Sequence, residues 1–357
     1  MVRALARVDV GAIERNCARL AATVAPARLC AVVKADGYGH GGVAAARAAL
    51  RGGAASLAVA TADEAAALRA AGIDGPLLVM GALSPEELAV AIAARADVVA
   101  WRERFVAALP PDLRVHVKLD TGMGRLGTRD PDEASRVVAA AGDRLAGLMT
   151  HFATADEDDA TFLDAQLDEF SRWIARHPGP IVHAANSAAA LRRPDARFDM
   201  VRCGIAVYGM DPFHEDPARH GLEAALSLES WVAAIRRFEP GESAGYGRRW
   251  TASEPTWVAT LPIGYGDGWR RGLTNDCDVL IRGRRHPLVG TISMDNVTVD
   301  LGASSEVEPG EPAVLIGEQD GERILCEEVA RRLGTINYEI TCGISPRVPR
   351  VYVGGDA

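Results

Sequence analysis

From the start of the chain to about residue 210, short apolar runs alternate with segments of helical spacing. The runs cover 29–34, 57–60, 77–80, 97–100, 115–120, 145–151, 181–186 and 200–203, eight in all. Ile13, Cys17, Leu20 and Val24 share one helical face before the first run, and Leu163, Leu167, Phe170 and Ile174 share one before the seventh. Ser84, Pro85 and Glu87 spell a capping box with proline at the first helical position, and Gly72 and Gly142 stand where helices should stop. This alternation predicts an α/β fold, a parallel (β/α)8 TIM barrel, whose chemistry belongs at the C-terminal ends of its strands.

Past about residue 222 the pattern changes. Segments 226–235, 257–263, 279–282, 286–299, 313–316 and 336–352 are β-branched or aromatic stretches broken by Gly, Pro, Asn and Asp, and only 324–333 has helical spacing. A barrel over 1–222 followed by a smaller, mainly β domain over 223–357 is therefore expected, with the charged segment 214–219 near the junction.

The chain has 357 residues, long enough for two domains, and its 48% hydrophobic and 24% charged content is that of a globular protein. A net charge of -9 argues against nucleic-acid binding, which needs a basic surface. No run approaches the roughly 18 apolar residues of a membrane span, and the opening MVRALARVDV lacks a signal-like apolar stretch, so a cytoplasmic location is expected. Cys17, Cys30, Cys203, Cys277, Cys326 and Cys342 contain no CxxC pair and most read as small buried hydrophobes, with neither a disulfide framework nor a zinc ribbon indicated.

Candidate chemistry starts in AVVKADGYGHG, where Leu29 to Val33 form a short buried strand that closes on Lys34. Partial desolvation there disfavours the ammonium and frees the amine as a base or a Schiff-base nucleophile. The glycines let backbone approach an anion, and Tyr38 offers a hydroxyl. A lone motif of this kind is more often a solvated lysine before an ordinary turn, so the rest of the barrel must decide. His151 ends the sixth strand, Asn186 the seventh, and Arg202 lies near the end of the eighth. In the fifth run His116, Lys118 and Asp120 alternate with Val115, Val117 and Leu119, which puts the polar three on one face, the barrel interior. The following loop, TGMGRLG, supplies Arg125. Asn186-Ser187 and Gly204-Ile205 follow strands seven and eight, where such barrels often bind phosphate. Taken singly, His151 reads as a core histidine and Asn186-Ser187 as a plain helix cap. Gathered on one face with a lysine and an arginine, they describe a pyridoxal phosphate pocket.

In order along the chain, AVVKADGYGHG, KLDTGMGRLG, THFATAD, HAANSAAAL, VRCGIAVYG, GYGRRW, PIGYGDG, GTISMDN and INYEITCGISPRVPR resemble the blocks of the alanine racemase family, fold-type III pyridoxal phosphate enzymes. The resemblance implies that Lys34 carries pyridoxal 5'-phosphate while Tyr38, Ser187, Gly204 and Ile205 hold its phosphate, with Asn186 beside them. It places Arg202 at the pyridine nitrogen with His151 in support, and makes Tyr246 the second acid/base. Arg125, Tyr265, Met294 and Asp295 would shape the substrate site, and Lys118 matches a lysine that the family can carry as a carbamate. The chain departs from the pattern at Pro346, where some members have a tyrosine that reaches the phosphate and narrows the entrance. A head-to-tail homodimer with shared active sites is also implied.

Racemisation removes a proton from Cα on one face and delivers one to the other, a demand that Lys34 and Tyr246 together fit. Tyr246 needs positive charge or hydrogen bonding nearby, for which His151 and Arg202 are the candidates. Interconversion of L- and D-alanine, supplying D-alanine for bacterial peptidoglycan, is the expected function. A serine or broad-specificity racemase, a decarboxylase of the same architecture and a noncatalytic cofactor carrier are the alternatives. The carrier reading fits least, because such related barrels lack the β domain.

Overall fold

Strands of a closed parallel sheet are covered on both faces, so they read as continuous apolar runs. The computed structural model, which describes residues 2–355, turns each of the eight runs into such a strand. Two compact units result, one of Ile13–Phe213 and one of Met1–Ala12 with His214–Ala357. Strand β1 (Leu5–Asp9) belongs to the second. The barrel strands follow as β2 (Arg28–Val32), β3 (Ser56–Val59), β4 (Leu77–Val79), β5 (Asp97–Ala100), β6 (Val115–Lys118), β7 (Leu145–Met149), β8 (Ile181–His183) and β9 (Met200–Cys203). They lie parallel in the order β8-β7-β6-β5-β4-β3-β2-β9. Closure comes from the Asp199 amide on the Val182 carbonyl at 3.1 Å and the Arg202 amide on the Ala185 carbonyl at 2.8 Å.

The helices bury the faces their spacing predicts. Ile13, Cys17, Leu20 and Val24 are at most 1% exposed, and covering each large aliphatic side chain contributes about 1.5–3 kcal/mol. Leu163, Leu167 and Phe170 are buried as well, but Trp173 rather than Ile174 completes that stripe, its indole donating to Ser135 Oγ at 3.3 Å. The Ser84 and Glu87 capping box forms, and Gly142 ends helix Pro131–Ala141 with φ 54°. Both faces of β6 are buried, because its polar side chains point into a closed barrel.

Several runs leave the sheet earlier than their apolar stretch. Lys34 does not close β2 but opens the turn Lys34–Tyr38, in which Ala35, Asp36, Gly37 and Tyr38 all have φ between 51° and 62°. Three of these are not glycine, and each such residue costs roughly 1–2 kcal/mol. Two carboxylates hold them. Glu64 Oε1 accepts the Ala35 amide at 2.6 Å, and Asp36 Oδ1 accepts the Gly42 amide at 2.7 Å. His151 lies beyond the end of β7, and Asn186 beyond the end of β8, where it caps helix Ser187–Arg192 through Ala189.

In the β unit the strands are β10 (Leu226–Trp231), β11 (Ala234–Phe238), β12 (Ser243–Ala244), β13 (Trp250–Thr251), β14 (Thr256–Leu261), β15 (Asp278–Ile281), β16 (Arg284–Val289), β17 (Val297–Gly302), β18 (Pro312–Gln319), β19 (Glu322–Ile324) and β20 (Arg350–Val353). The main sheet runs β11-β14-β17-β16-β15-β18-β10-β1-β20. Two expectations change here. The division at 222 and 223 leaves β1 on the wrong side, since Leu5–Asp9 pairs with β10 and β20. Its alternation, with Ala6 and Val8 buried between half-buried neighbours, is a strand signal too short to stand out. The stretch 336–352 is not continuous strand either. Asn337–Cys342 is helical despite its β-branched residues, because Asn337, Ile340 and Thr341 recur at helical spacing and are buried. No helix among the described residues is long and apolar enough to cross a membrane.

Glu64 also accepts the Ala60 and Thr61 amides, at 2.8 and 3.1 Å, so one carboxylate serves three backbone donors. Glu64→Ala strips all three and is expected to cost about 1–3 kcal/mol in urea unfolding. Hydrogen exchange at the Ala35 amide should rise with it. An unchanged Ala35 amide in that variant would show that the turn after Lys34 holds itself.

Candidate active site

Arg202, on β9 and 3% exposed, donates to five acceptors. Nη1 reaches His183 Nδ1 at 2.8 Å and the His183 carbonyl at 2.9 Å. Nη2 reaches the carbonyls of Thr150 at 2.8 Å and Ala184 at 3.0 Å, and His151 Nδ1 at 3.1 Å. None of these is a carboxylate. Burial lowers the guanidinium to about 10, still protonated at neutral pH. A guanidinium has no acceptor, so both histidines receive at Nδ1 and keep their proton on Nε2. Burial and then the Arg202 charge hold His151 and His183 well below their ordinary value, with Lys118, Arg125 and Lys34 adding to the effect on His151. His151 is therefore neutral, so of the two candidates Arg202 is the one that carries positive charge, while His151 can offer only hydrogen bonding.

Lys118 lies in the same field. It is buried at the end of β6, and desolvation followed by repulsion from Arg202 and Arg125 brings its amine down to about 8, against a smaller opposing pull from Asp120. Asp120 organises the loop beyond. It accepts the Gly122 and Gly124 amides at 3.2 and 3.0 Å and faces Arg129 at 3.4 Å. Burial alone would raise its carboxyl, but those amides and Arg129 outweigh it and hold it below its ordinary value. The loop presents Arg125, which is exposed.

At the other side of the set, Lys34 is half-buried, with Nζ 6.0 Å from the centre of the Tyr38 ring. A Cβ on Gly204 would fall 2.2 Å from Tyr38 Oη, so the hydroxyl sits against that backbone. Ser187 Oγ accepts the Gly204 amide at 3.0 Å and the Ala206 amide at 3.4 Å. Ile205 is fully buried and opens the turn Ile205–Tyr208. Asn186 Oδ1 takes the Ala189 amide at 3.0 Å, which is the plain-cap use of that side chain.

Sequence reasoning passed over the supports. Gln166, almost wholly buried, donates to the His151 carbonyl and Thr121 Oγ1 at 3.2 Å each and accepts the Ala153 amide at 2.9 Å. Thr121 in turn meets Thr150 Oγ1 at 2.9 Å. His183 sits on a strand where spacing does not separate it from a core histidine.

The remaining candidates belong to the β unit and are exposed: Tyr246 at 73%, Met294 at 51% and Tyr265 at 41%. Their backbones are tied down. Thr291 Oγ1 donates to the Tyr246 carbonyl at 2.6 Å, and the Tyr265 and Gly266 amides reach the Ser293 and Met294 carbonyls at 3.0 and 2.9 Å. Tyr246 borders a cavity of about 380 Å³ with Gly245, Thr291, Ser293, Asn296, Val297 and Thr298. Asp295 receives Arg347 at 2.7 Å, while fully buried Asp267 receives Arg3 Nη1 at 2.5 Å and the Gly264 amide at 2.9 Å. Pro346 holds the second position of a turn that the Val348 amide closes on the Ser345 carbonyl at 3.1 Å.

The closed barrel carries a cationic set at one end of its strands, and a mainly β unit accompanies it in the chain, the make-up of a two-unit barrel protein. The alanine racemase N-terminal domain matches residues 8–212 and the alanine racemase C-terminal domain residues 225–352. The alanine racemase of Geobacillus stearothermophilus is 43% identical over 97% of this chain and 92% of its own length, and that of Thermobifida fusca is 43% identical over 98% of each. Among solved structures, alanine racemase from Streptomyces coelicolor superposes with a TM-score of 0.93 at 38% identity, covering 99% of this chain and 98% of that one. Alanine racemase from Bacillus anthracis with bound L-Ala-P gives 0.90 at 37% identity, covering 99% and 96%. The chain belongs to the alanine racemase family.

The neutral histidines carry a pH dependence. A histidine whose folded pKa is depressed adds its full stability above the unfolded value near 6.5 and loses it as pH falls below that, since the unfolded chain then binds protons the folded one refuses. For His151 and His183 together the loss is expected to approach about 2.7 kcal/mol per pH unit below pH 6. Urea unfolding at pH 8, 6.5 and 5.5 measures it, and His151→Asn should remove about half of the slope. A slope unchanged by that variant and by His183→Asn assigns the loss to other groups.

Proposed function

We propose that the chain interconverts L-alanine and D-alanine with pyridoxal 5'-phosphate held at the end of the barrel strands. The observation that carries this reading is the buried Arg202, without a carboxylate partner among the described residues, in one electrostatic set with Lys34, Lys118 and Arg125, in a chain of this family. The residues suit the cofactor. Lys34 would hold it through its amine, and Tyr38, Ser187, Gly204 and Ile205 would hold its phosphate, the Tyr38 hydroxyl already lying against Gly204. Asn186, spent as a helix cap, would act through the placement of Ser187. When bound, the cofactor supplies an electron sink that acidifies the substrate Cα–H.

Arg202 would donate to the ring nitrogen and leave it unprotonated, which limits charge delocalisation into the ring and disfavours transamination. Lys34 Nζ would move the proton on one face of Cα and Tyr246 Oη on the other. Arg125, Tyr265, Met294 and Asp295 would set the substrate carboxylate. The Asp295 charge is taken up by Arg347, so its service is to fix the Met294 turn. Pro346 offers no hydroxyl to a phosphate, which is why serine belongs in every assay as a competitor. The reading includes a cytoplasmic homodimer with shared sites that supplies D-alanine for peptidoglycan.

The deciding experiment is conversion of L-alanine to D-alanine by purified protein, with serine competing and carbon dioxide release followed. Borohydride reduction and peptide mapping should place the pyridoxyl group on Lys34. If sites are shared in a two-fold dimer, mixing inactive Lys34→Ala and Tyr246→Phe chains after dissociation restores one intact site in half the dimers, hence about a quarter of wild-type activity. No recovery, with mixed dimers confirmed by mass, refutes sharing.

Lys118 is the second test. An amine near 8 keeps a neutral fraction at physiological pH that can bond to carbon dioxide and shed a proton, giving a carbamate anion beside Arg125. Gentle intact-mass measurement should show one added carbon dioxide, lost in Lys118→Ala together with substrate affinity. Unmodified mass and bicarbonate-independent activity would leave Lys118 an ordinary buried amine.

A further inference from the structure

The hydrogen bonds of Arg202 do not stop at His183. On the far side of that ring, His183 Nε2 lies 2.8 Å from His116 Nδ1, and His116 Nε2 lies 3.3 Å from Asp97 Oδ2. The rings meet nearly edge to face, at an interplanar angle of 78°. The four residues come from β9, β8, β6 and β5. Direction follows from chemistry alone. Arg202 only donates, so His183 accepts at Nδ1 and carries its proton on Nε2. That proton points at His116 Nδ1, which must therefore be bare. His116 then bears its proton on Nε2 and presents it to Asp97, an acceptor when ionised.

This contact leaps over β7, and one residue makes room for it. Gly147 is in register with His116, and a Cβ there would fall 2.3 Å from His116 Nδ1 and 2.8 Å from Cε1. Gly147 is not among the glycines with positive φ, so the missing side chain answers a demand of space, not of backbone conformation.

We propose that His183, His116 and Asp97 form a one-way hydrogen-bond relay, admitted by Gly147, that positions the Arg202 guanidinium. Among the described residues no carboxylate hydrogen-bonds Arg202, and the relay ends on a carboxylate that also pairs with Arg114 at 3.3 Å, an exposed side chain. In a low-dielectric interior each bond polarises the next, so the chain aligns two imidazoles with their electron-rich nitrogens toward the cation. It thereby fixes the plane in which the guanidinium presents its remaining donor capacity. The bond directions stand without the proposed function; only the effect on catalysis rests on Arg202 facing the cofactor ring.

The test is ring-nitrogen NMR of full-length, cofactor-bound protein labelled with nitrogen-15 histidine. His183 and His116 should each show a bare Nδ1 and a protonated Nε2 at neutral pH. A protonated Nδ1 on either ring overturns the relay, whether or not the protein racemises alanine. His116→Phe should shift the His183 Nε2 resonance away from its hydrogen-bonded position and lower kcat several-fold with little change in KM. His116→Gln, which offers an oxygen to His183 and an N–H to Asp97, should restore part of both. Should His116→Phe fail to fold, Gly147→Ala provides the same break with every relay residue present. A His183 resonance and kcat unmoved by breaking the chain would also overturn the proposal.

Discussion

A buried cation, with no carboxylate against it among the described residues, governs one end of the barrel. Arg202 is stabilised by carbonyls and imidazole nitrogens, which take up its Nη1 and Nη2 donors without cancelling its charge. Everything near it adjusts. The two imidazoles it touches stay neutral, and the Lys118 amine is pushed down to about 8. Breaking a buried charge network is costly, since one partner's loss strands the other in low dielectric. The barrel therefore commits stability to a positive potential at one end of its strands, where an anionic ligand would relieve it.

Much of this was legible in the sequence because a closed parallel barrel writes itself as apolar runs with polar residues near their ends. The runs at 97–100 and 200–203 coincide with β5 and β9, and Arg202 lies where its run places it. What escaped has physical reasons. The left-handed turn after Lys34 depends on Glu64, a residue that local spacing shows only as part of a capping box. The His116–His183 contact spans 67 positions and turns on the absence of a side chain at Gly147, which no periodicity records. Strand β1 pairs in the β unit with segments from the opposite end of the chain, so its alternation gains meaning only after folding. Helix Asn337–Cys342 shows burial at helical spacing overriding β-branched propensity.

The two units solve opposite problems. The barrel buries charge and must orient it, which it does with donors and acceptors of fixed sense on hydrogen-bonded neighbouring strands. The β unit exposes Tyr246, Tyr265 and Met294, and must hold flexible groups in place without covering them. It does so through backbone. The Tyr265 and Met294 turns are sewn together by amide–carbonyl bonds, and both are anchored to the 345–347 segment through Asp267, Asp295 and Arg347. The Asp267 side chain is fully buried, so its pairing with Arg3 and Arg347 is screened less than a surface pair would be. An exposed tyrosine on a fixed backbone loses only side-chain freedom when it engages a ligand, whereas a tyrosine on a loose loop would lose backbone freedom as well.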